Sequence, residues 1–384
     1  MLPEQWMLDY ETLRIIWWGL LGILLIGFAI MDGFDLGVGM LLPIISKSDI
    51  EKRIMINSVG PVWEGNQVWF ILGGGAIFAA WPFVYAIAFS GFYIAMFVVL
   101  CALILRPVGF EFRHKIDSKR WTSIWDKCLF IGGFVPSLIF GVAIGNLFLG
   151  VPFTLDETLR MTYSGTFFDL LAHPFAYICG LVSVFMLMLH GATYLMIKTE
   201  KCIFQRARII ALITAVCTLS LFTYGGYALQ NIPGHIISSI QTDGPSNPLL
   251  KTVEAVNGGW LLNYEKYEFF IIAPVLAYLG GFIALLSTAF KKAGIAFLGS
   301  ALCVSGIILT AGVSLFPFYI PSSIDPSHSL TVWDSSSSHN TLFIMLIAVI
   351  IFLPIVLSYV GWVYNILRGK VTESYIKENS KDLY

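Results

Sequence analysis

Long apolar runs separated by short polar segments organise this chain. A membrane-crossing helix needs about 20 mostly apolar residues, and such runs recur between residues 13 and 367. Their lengths and breaks predict about nine helices, at roughly 13–46, 55–79, 83–112, 122–149, 166–198, 204–230, 265–290, 293–318 and 340–367. The first is longer than one crossing requires, so it must tilt, protrude or bend. The second opens on polar residues and carries Gly73, Gly74 and Gly75. The pattern predicts an all-α polytopic membrane protein, with residues 1–384 forming a single integral-membrane domain.

The connecting segments test that count, because basic residues favour the cytoplasmic side. Lys47, Lys52 and Arg53 follow the first helix, and Arg113, Lys115, Lys119, Arg120 and Lys127 follow the third. Lys198, Lys201, Arg206 and Arg208 follow the fifth, Lys291 and Lys292 the seventh, and Arg368, Lys370, Lys377 and Lys381 the last. The alternate segments are poorer in Lys and Arg. Glu4, Asp9 and Glu11 precede the first helix, Asp156, Glu157 and Arg160 follow the fourth, and Asp325 and Asp334 follow the eighth. This alternation requires an odd number of spans, with the N-terminus outside and the C-terminus cytoplasmic. Residues 231–264 read as an ordered surface loop rather than a second domain.

Composition agrees. Hydrophobic residues make up 57% of the 384 positions and charged residues 12%, against roughly 25% charged in soluble domains. A net charge of −1 points to no nucleic-acid or acidic partner. The six cysteines are scattered singly and read as small buried hydrophobes. The first apolar run follows acidic residues without a cleavage-site pattern, so it reads as a retained helix. Gly33-x-x-x-Gly37 and Gly141-x-x-x-Gly145 suit close helix packing.

Ionisable residues inside hydrocarbon are costly and so carry information. Asp32 and Asp35, spaced i,i+3, fall on neighbouring positions of one helix face. Two close carboxylates resist joint ionisation, so one stays protonated or pairs with a cation. The pair reads either as structural or as part of a proton path. Glu64 lies in the polar string Trp63-Glu64-Gly65-Asn66-Gln67-Val68-Trp69, roughly 10 Å along the second helix if that helix begins near residue 57. Glu64 and Gln67 are expected to share a face, at a depth that suits a proton entrance. Arg106 and Glu111 flank the end of the third helix; Arg106 either snorkels to the surface or pairs with Asp35 or Glu64.

Of six histidines, only His190 is expected to lie deep. His173 shares its helix but stands roughly 25 Å away along the axis, so one haem iron cannot take both. His190 therefore reads as a hydrogen-bonded core residue. Phosphate-loop, dinucleotide, zinc-protease and nucleophile-elbow motifs do not occur. Redox chemistry would have to use a cofactor held largely by another chain, and this chain is expected to bind no metal or cofactor itself.

Several strings are more specific. They are Ile30-Met31-Asp32-Gly33-Phe34-Asp35-Leu36-Gly37-Val38-Gly39, the Trp63–Trp69 string followed by Gly74-Gly75-Ala76-Ile77-Phe78-Ala79-Ala80-Trp81-Pro82, and Arg106-Pro107-Val108-Gly109-Phe110-Glu111. Gly145–Phe153, Phe316–Ser323 and Ser329–Asp334 complete the set. Together they resemble subunit II of the cytochrome bd quinol oxidases over the whole chain. The resemblance implies two four-helix bundles plus one peripheral helix, in a bacterial inner membrane. It implies a partner of similar fold, subunit I, which holds haems b558, b595 and d and the quinol site. It also allows a very small accessory subunit. Quinol and O2 would be the substrates of the complex, with water as product and a proton-motive force built without pumping.

Within that resemblance Glu64 matches a carboxylate linked to proton delivery, where the family commonly has Asp. Asp35, Arg106 and Glu111 match polar family positions near the subunit interface and, with Asp32 from the carboxylate pair, complete the proton-path candidates; Trp69 matches a position near a proposed oxygen channel. Some members hold a structural quinone in this subunit. An ion-coupled secondary transporter, with substrate bound at a glycine-broken helix, is the alternative from another class.

Overall fold

The computed structural model describes residues 8–379 and 383; Glu4 and Lys381 lie outside the described residues. Helices α1 (Tyr10–Met31) and α2 (Gly33–Ile45) form one long span. Helical bonding continues through Asp32, whose N–H donates to the Phe28 carbonyl while its carbonyl accepts from Leu36. A short helix α3 (Asp49–Val59) follows, capped by the Ser48 side chain. Then come α4 (Trp63–Ala80), α5 (Pro82–Gly91) and α6 (Tyr93–Phe112).

The rest of the order is α7 (Lys119–Leu149), β1 (Phe153–Leu155), β2 (Met161–Tyr163), α8 (Pro174–Lys198) and α9 (Lys201–Leu229). After these come β3 (Pro233–Ser239), β4 (Thr252–Asn257), α10 (Leu262–Lys266), α11 (Ile272–Ala289) and α12 (Ala293–Leu315). The chain closes with β5 (Phe318–Ile320), β6 (Leu330–Thr331), α13 (His339–Ile366) and α14 (Glu373–Glu378). The strands form three separate antiparallel pairs.

Among the described residues eight helices are long and apolar enough to cross a membrane, or nine if α4 and α5 count as one broken span. The departures from the sequence expectation have local causes. Residues 55–59 belong to α3, because Gly60 and Pro61 separate it from α4. α4 opens on Glu64, Asn66 and Gln67, which dilutes its apolar character. The expected third helix is two helices, α5 and α6, meeting at Phe92. α4 and α5 are bent by 120° at Trp81. Pro82 stands at the start of α5 and drives Trp81 out of helical geometry, to φ −135° and ψ 75°. Residues 166–173 hold a short 3-10 turn rather than the start of α8. The expected seventh helix loses its first turns to α10 and another 3-10 turn.

α2 is central: it packs against both α7 and α8. Close approach there depends on glycine. A Cβ on Gly37 would meet the Leu187 carbonyl and lie 2.9 Å from the Gly191 Cα. α7 crosses α8 in the same way, where a Cβ on Gly145 would stand 2.7 Å from the Ala176 Cα. α8, α9, α11 and α12 pack together, while α1 holds α4 and α12. α13 is peripheral, touching α1 and α4 and burying only Leu342 and Leu346.

The two ends differ. At the basic end Arg113 pairs with Asp49 at 2.6 Å and Asp126 at 2.7 Å, and Lys52 pairs with Asp126 at 2.8 Å. The opposite end carries the three strand pairs over a core that includes the fully buried Trp81 and Trp260.

Candidate functional site

The carboxylates of the first span do not share a partner. Asp32 takes Arg106 from α6 in a two-pronged ion pair, at 2.9 Å and 2.7 Å. Both side chains are almost wholly buried, at 0% and 3% exposure. The parallel geometry satisfies both carboxylate oxygens at once. Arg106 therefore neither snorkels nor pairs with Asp35 or Glu64. Its stem lies against Gly132 of α7, where a Cβ would come within 2.7 Å of its Cγ.

Asp35, one turn on, faces α4 instead. Its Oδ2 accepts a hydrogen bond from Asn66 Nδ2 at 2.7 Å, and Asn66 Oδ1 accepts one from the Tyr364 hydroxyl, also at 2.7 Å. The peripheral helix α13 is thereby tied to the central helix α2 through one amide. The Asp35 Oδ1 atom is buried without a hydrogen-bond partner. Such a buried atom is costly to leave unpaired.

The other candidates stand apart from this pair. Glu64 lies in the first turn of α4, so it is not roughly 10 Å along a helix as the sequence spacing suggested. Its side chain points away from this chain's own core, while Asn66 and Trp69 point inward. Glu64, Val68, Ile71 and Gly75 recur at helical spacing along one exposed face, with Val68 45% and Ile71 67% exposed. A Cβ on Gly75, on this face, would meet nothing, and the same holds at Gly65 and Gly74 on its flanks, so the face borders open space. Gln67 is half-buried beside it. Glu111 is exposed at the basic end of α6. Trp69 is 6% exposed and covers Gly27 of α1.

His190 is a core residue. Its Nδ1 bonds the Ser300 hydroxyl at 2.8 Å, its Nε2 bonds the Ile30 carbonyl at 3.0 Å, and its ring stacks on Phe297. Neither nitrogen is left for an iron, so this site does not fit a haem ligand. Among the described residues no group of three His, Cys, Asp or Glu side chains is placed to hold a metal ion.

Sequence reasoning passed over several residues. Asn66 sat in plain view within a polar string, but its role as a bridge depends on Tyr364, almost 300 positions away. Arg14 is a buried guanidinium inside the first span, and its position in an apolar run was the available signal. It donates to Ser336 Oγ at 2.8 Å, the Thr242 carbonyl at 2.6 Å and the Gly244 carbonyl at 3.0 Å. Nearby, Lys251 pairs with Asp334 at 2.9 Å, both buried. Burial lowers the Lys251 pKa, and Asp334 opposes that shift. Burial also pulls His235, on β3, down to about 4.

Comparison with known proteins points in one direction. The family profile described as cytochrome bd terminal oxidase subunit II matches residues 13–367. A Haemophilus influenzae protein described as a cytochrome oxidase subunit 2 is 50% identical over 382 residues, covering 98% of this chain and 100% of the relative. The Escherichia coli cytochrome bd-I ubiquinol oxidase subunit 2 is 47% identical over 380 residues, with the same coverage. The structure of bd oxidase from Geobacillus thermodenitrificans superposes with a TM-score of 0.67 at 16% identity, over 93% of this chain and 99% of that one.

Proposed function

Because this chain belongs to the cytochrome bd terminal oxidase subunit II family, we propose that it acts in a complex that oxidises quinol, taken from its Escherichia coli relative as ubiquinol, and reduces O2 to water. The chain is a membrane-embedded subunit of a quinol oxidase, and catalysis belongs to the complex. The transporter alternative gives way to this family membership. Haems b558, b595 and d and the quinol site are assigned to subunit I, and the occupied ring nitrogens of His190 support that division. Bound there, the haems would supply the electron transfer and oxygen chemistry. A structural quinone and a very small accessory subunit belong to the same reading, and the chain acts as one unit in the bacterial inner membrane. We place the basic end at the cytoplasm, with the N-terminus outside, following the loop charges.

The observation that carries the site reading is Glu64 on the exposed face of α4. A carboxylate flanked by Val68 and Ile71 is costly against lipid, so this face is assigned to subunit I. Glycines along it permit close approach of a partner helix. Glu64 would then receive protons from the cytoplasm and pass them across the interface. Glu111, at the same end of the chain, is placed at the mouth of that path. Asp35 is the buried member, with one oxygen free to take a proton. Asp32 and Arg106 hold the helix that presents it. Trp69 bounds an oxygen route only through its packing against α1.

The test is Glu64→Gln in the assembled complex. Oxygen consumption with quinol should fall at least tenfold while the reduced-minus-oxidised haem spectrum stays intact. A normal rate with a normal spectrum would remove Glu64 from the proton path.

A further inference from the structure

An open groove runs along the seam between α9 and α11, and cations stand at one end of it. The groove has a volume of about 260 Å3. Its walls are Val216 and Leu219 from α9 and Phe282 and Leu285 from α11. At its far end the Thr223 and Tyr278 hydroxyls bond each other at 2.9 Å. Positions 208, 212, 216, 219 and 223 recur every three or four residues, so Arg208 lies on the same face of α9 as the groove. Its hydrogen bonds confirm the alignment: Nε donates to the Thr288 carbonyl at 2.9 Å and Nη2 to the Ala289 carbonyl at 2.8 Å, at the end of α11. Lys291 and Lys292 follow at once and are both exposed. None of the ion pairs among the described residues involves these three cations.

The dimensions select an occupant. At 1.5 Å per residue, Val216 lies about 12 Å from Arg208 along α9 and Thr223 about 22 Å. One leaflet of hydrocarbon is about 15 Å deep. A headgroup held at Arg208 would therefore lay the distal part of its chain between Val216 and Leu219. The same face ends in the exposed Tyr224 and Tyr227, the placement expected of aromatic side chains at a membrane interface. Three cations without carboxylate partners, at the mouth of an apolar groove of membrane depth, ask for an anion with a long apolar tail.

We infer that the α9–α11 seam is a binding site for one anionic phospholipid, its phosphate on Arg208, Lys291 and Lys292 and an acyl chain in the groove. The site is separate from the carboxylates and from the α4 face, and it does not rest on their proposed roles.

The probe is phosphatidylglycerol carrying a photoreactive group midway along one acyl chain, added to the complex in membranes. Crosslinks should concentrate on residues 216–223 and 278–285, and unlabelled phosphatidylglycerol should compete while phosphatidylcholine does not. Neutralising the cations (R208Q, K291Q, K292Q) should weaken retention about fivefold for each charge removed. Val216→Trp, which fills the groove and leaves the charges, should abolish the same crosslinks. Even labelling of all lipid-facing helices would mean annular lipid only and would overturn the inference. Equal competition by phosphatidylcholine would overturn the anionic headgroup, and absence of labelling in the seam would overturn the site.

Discussion

Replacing Arg106 by leucine should be among the most damaging single changes in this chain. Arg106 and Asp32 are 3% and 0% exposed, and both carboxylate oxygens of Asp32 are engaged by the guanidinium. Removing one partner of such a buried pair costs about 3–5 kcal/mol, because a charge is left unpaired. That corresponds to roughly two to four orders of magnitude in the folding equilibrium. The reciprocal change, Asp32→Asn, should be milder. The stranded guanidinium then has Asp35 one turn away, with an oxygen that lacks a partner. The double variant, Asp32→Asn with Arg106→Leu, removes both charges and should recover most of the loss. The assay is the thermal midpoint of the purified complex, or its resistance to titrated dodecyl sulfate, run as a double-mutant cycle. Single variants within about 1 kcal/mol of the parent, or a double variant that simply sums the two losses, would refute the reasoning.

Other expectations follow from the same structure. Gly37→Ala should destabilise by about 1–3 kcal/mol, since its methyl group would meet the Leu187 carbonyl; an unchanged thermal midpoint would contradict the close crossing. Gly75→Trp faces open space in this chain, so it should spare the fold yet reduce co-purification of subunit I; full recovery of the partner would move the interface elsewhere. His235 is held neutral by burial, with a pKa of about 4 in the fold against 6.5 free. The stability it confers is present above pH 6.5 and is lost as pH falls toward 4, by up to about 3 kcal/mol. Hydrogen exchange of the β3–β4 pair should show that loss in the parent and not in His235→Gln.

The fold was legible wherever apolar runs are long and uninterrupted, because hydrocarbon thickness fixes the length of a crossing. It was illegible where polar residues and prolines divide a run. The Gly60-Pro61 step splits α3 from α4 and the break at Phe92 splits α5 from α6, yet both lie within stretches whose average polarity looks continuous, whereas the break at Trp81-Pro82 falls between the expected second and third helices. The candidate site was legible as a set of residue types but not as a set of pairs. Asp32 and Asp35 appear equivalent in sequence, and only the positions of α4 and α6 give one the arginine and the other the amide. Depth along a helix was misjudged for Glu64 because it depends on the start of α4, the least predictable kind of boundary.

Arg14 has a consequence for how the protein is made. It belongs to the first helix synthesised, yet its acceptors are Thr242, Gly244, Ser246 and Ser336, which leave the ribosome more than 200 residues later. Until then the only one of its partners already made is the Tyr10 ring of its own helix, 3.6 Å from the guanidinium carbon. These contacts can form only after residue 242 has been made. A chain stopped before residue 242 would therefore lack every one of these acceptors and display a positive charge near its first span, a mark by which membrane quality control can tell an unfinished molecule from a finished one.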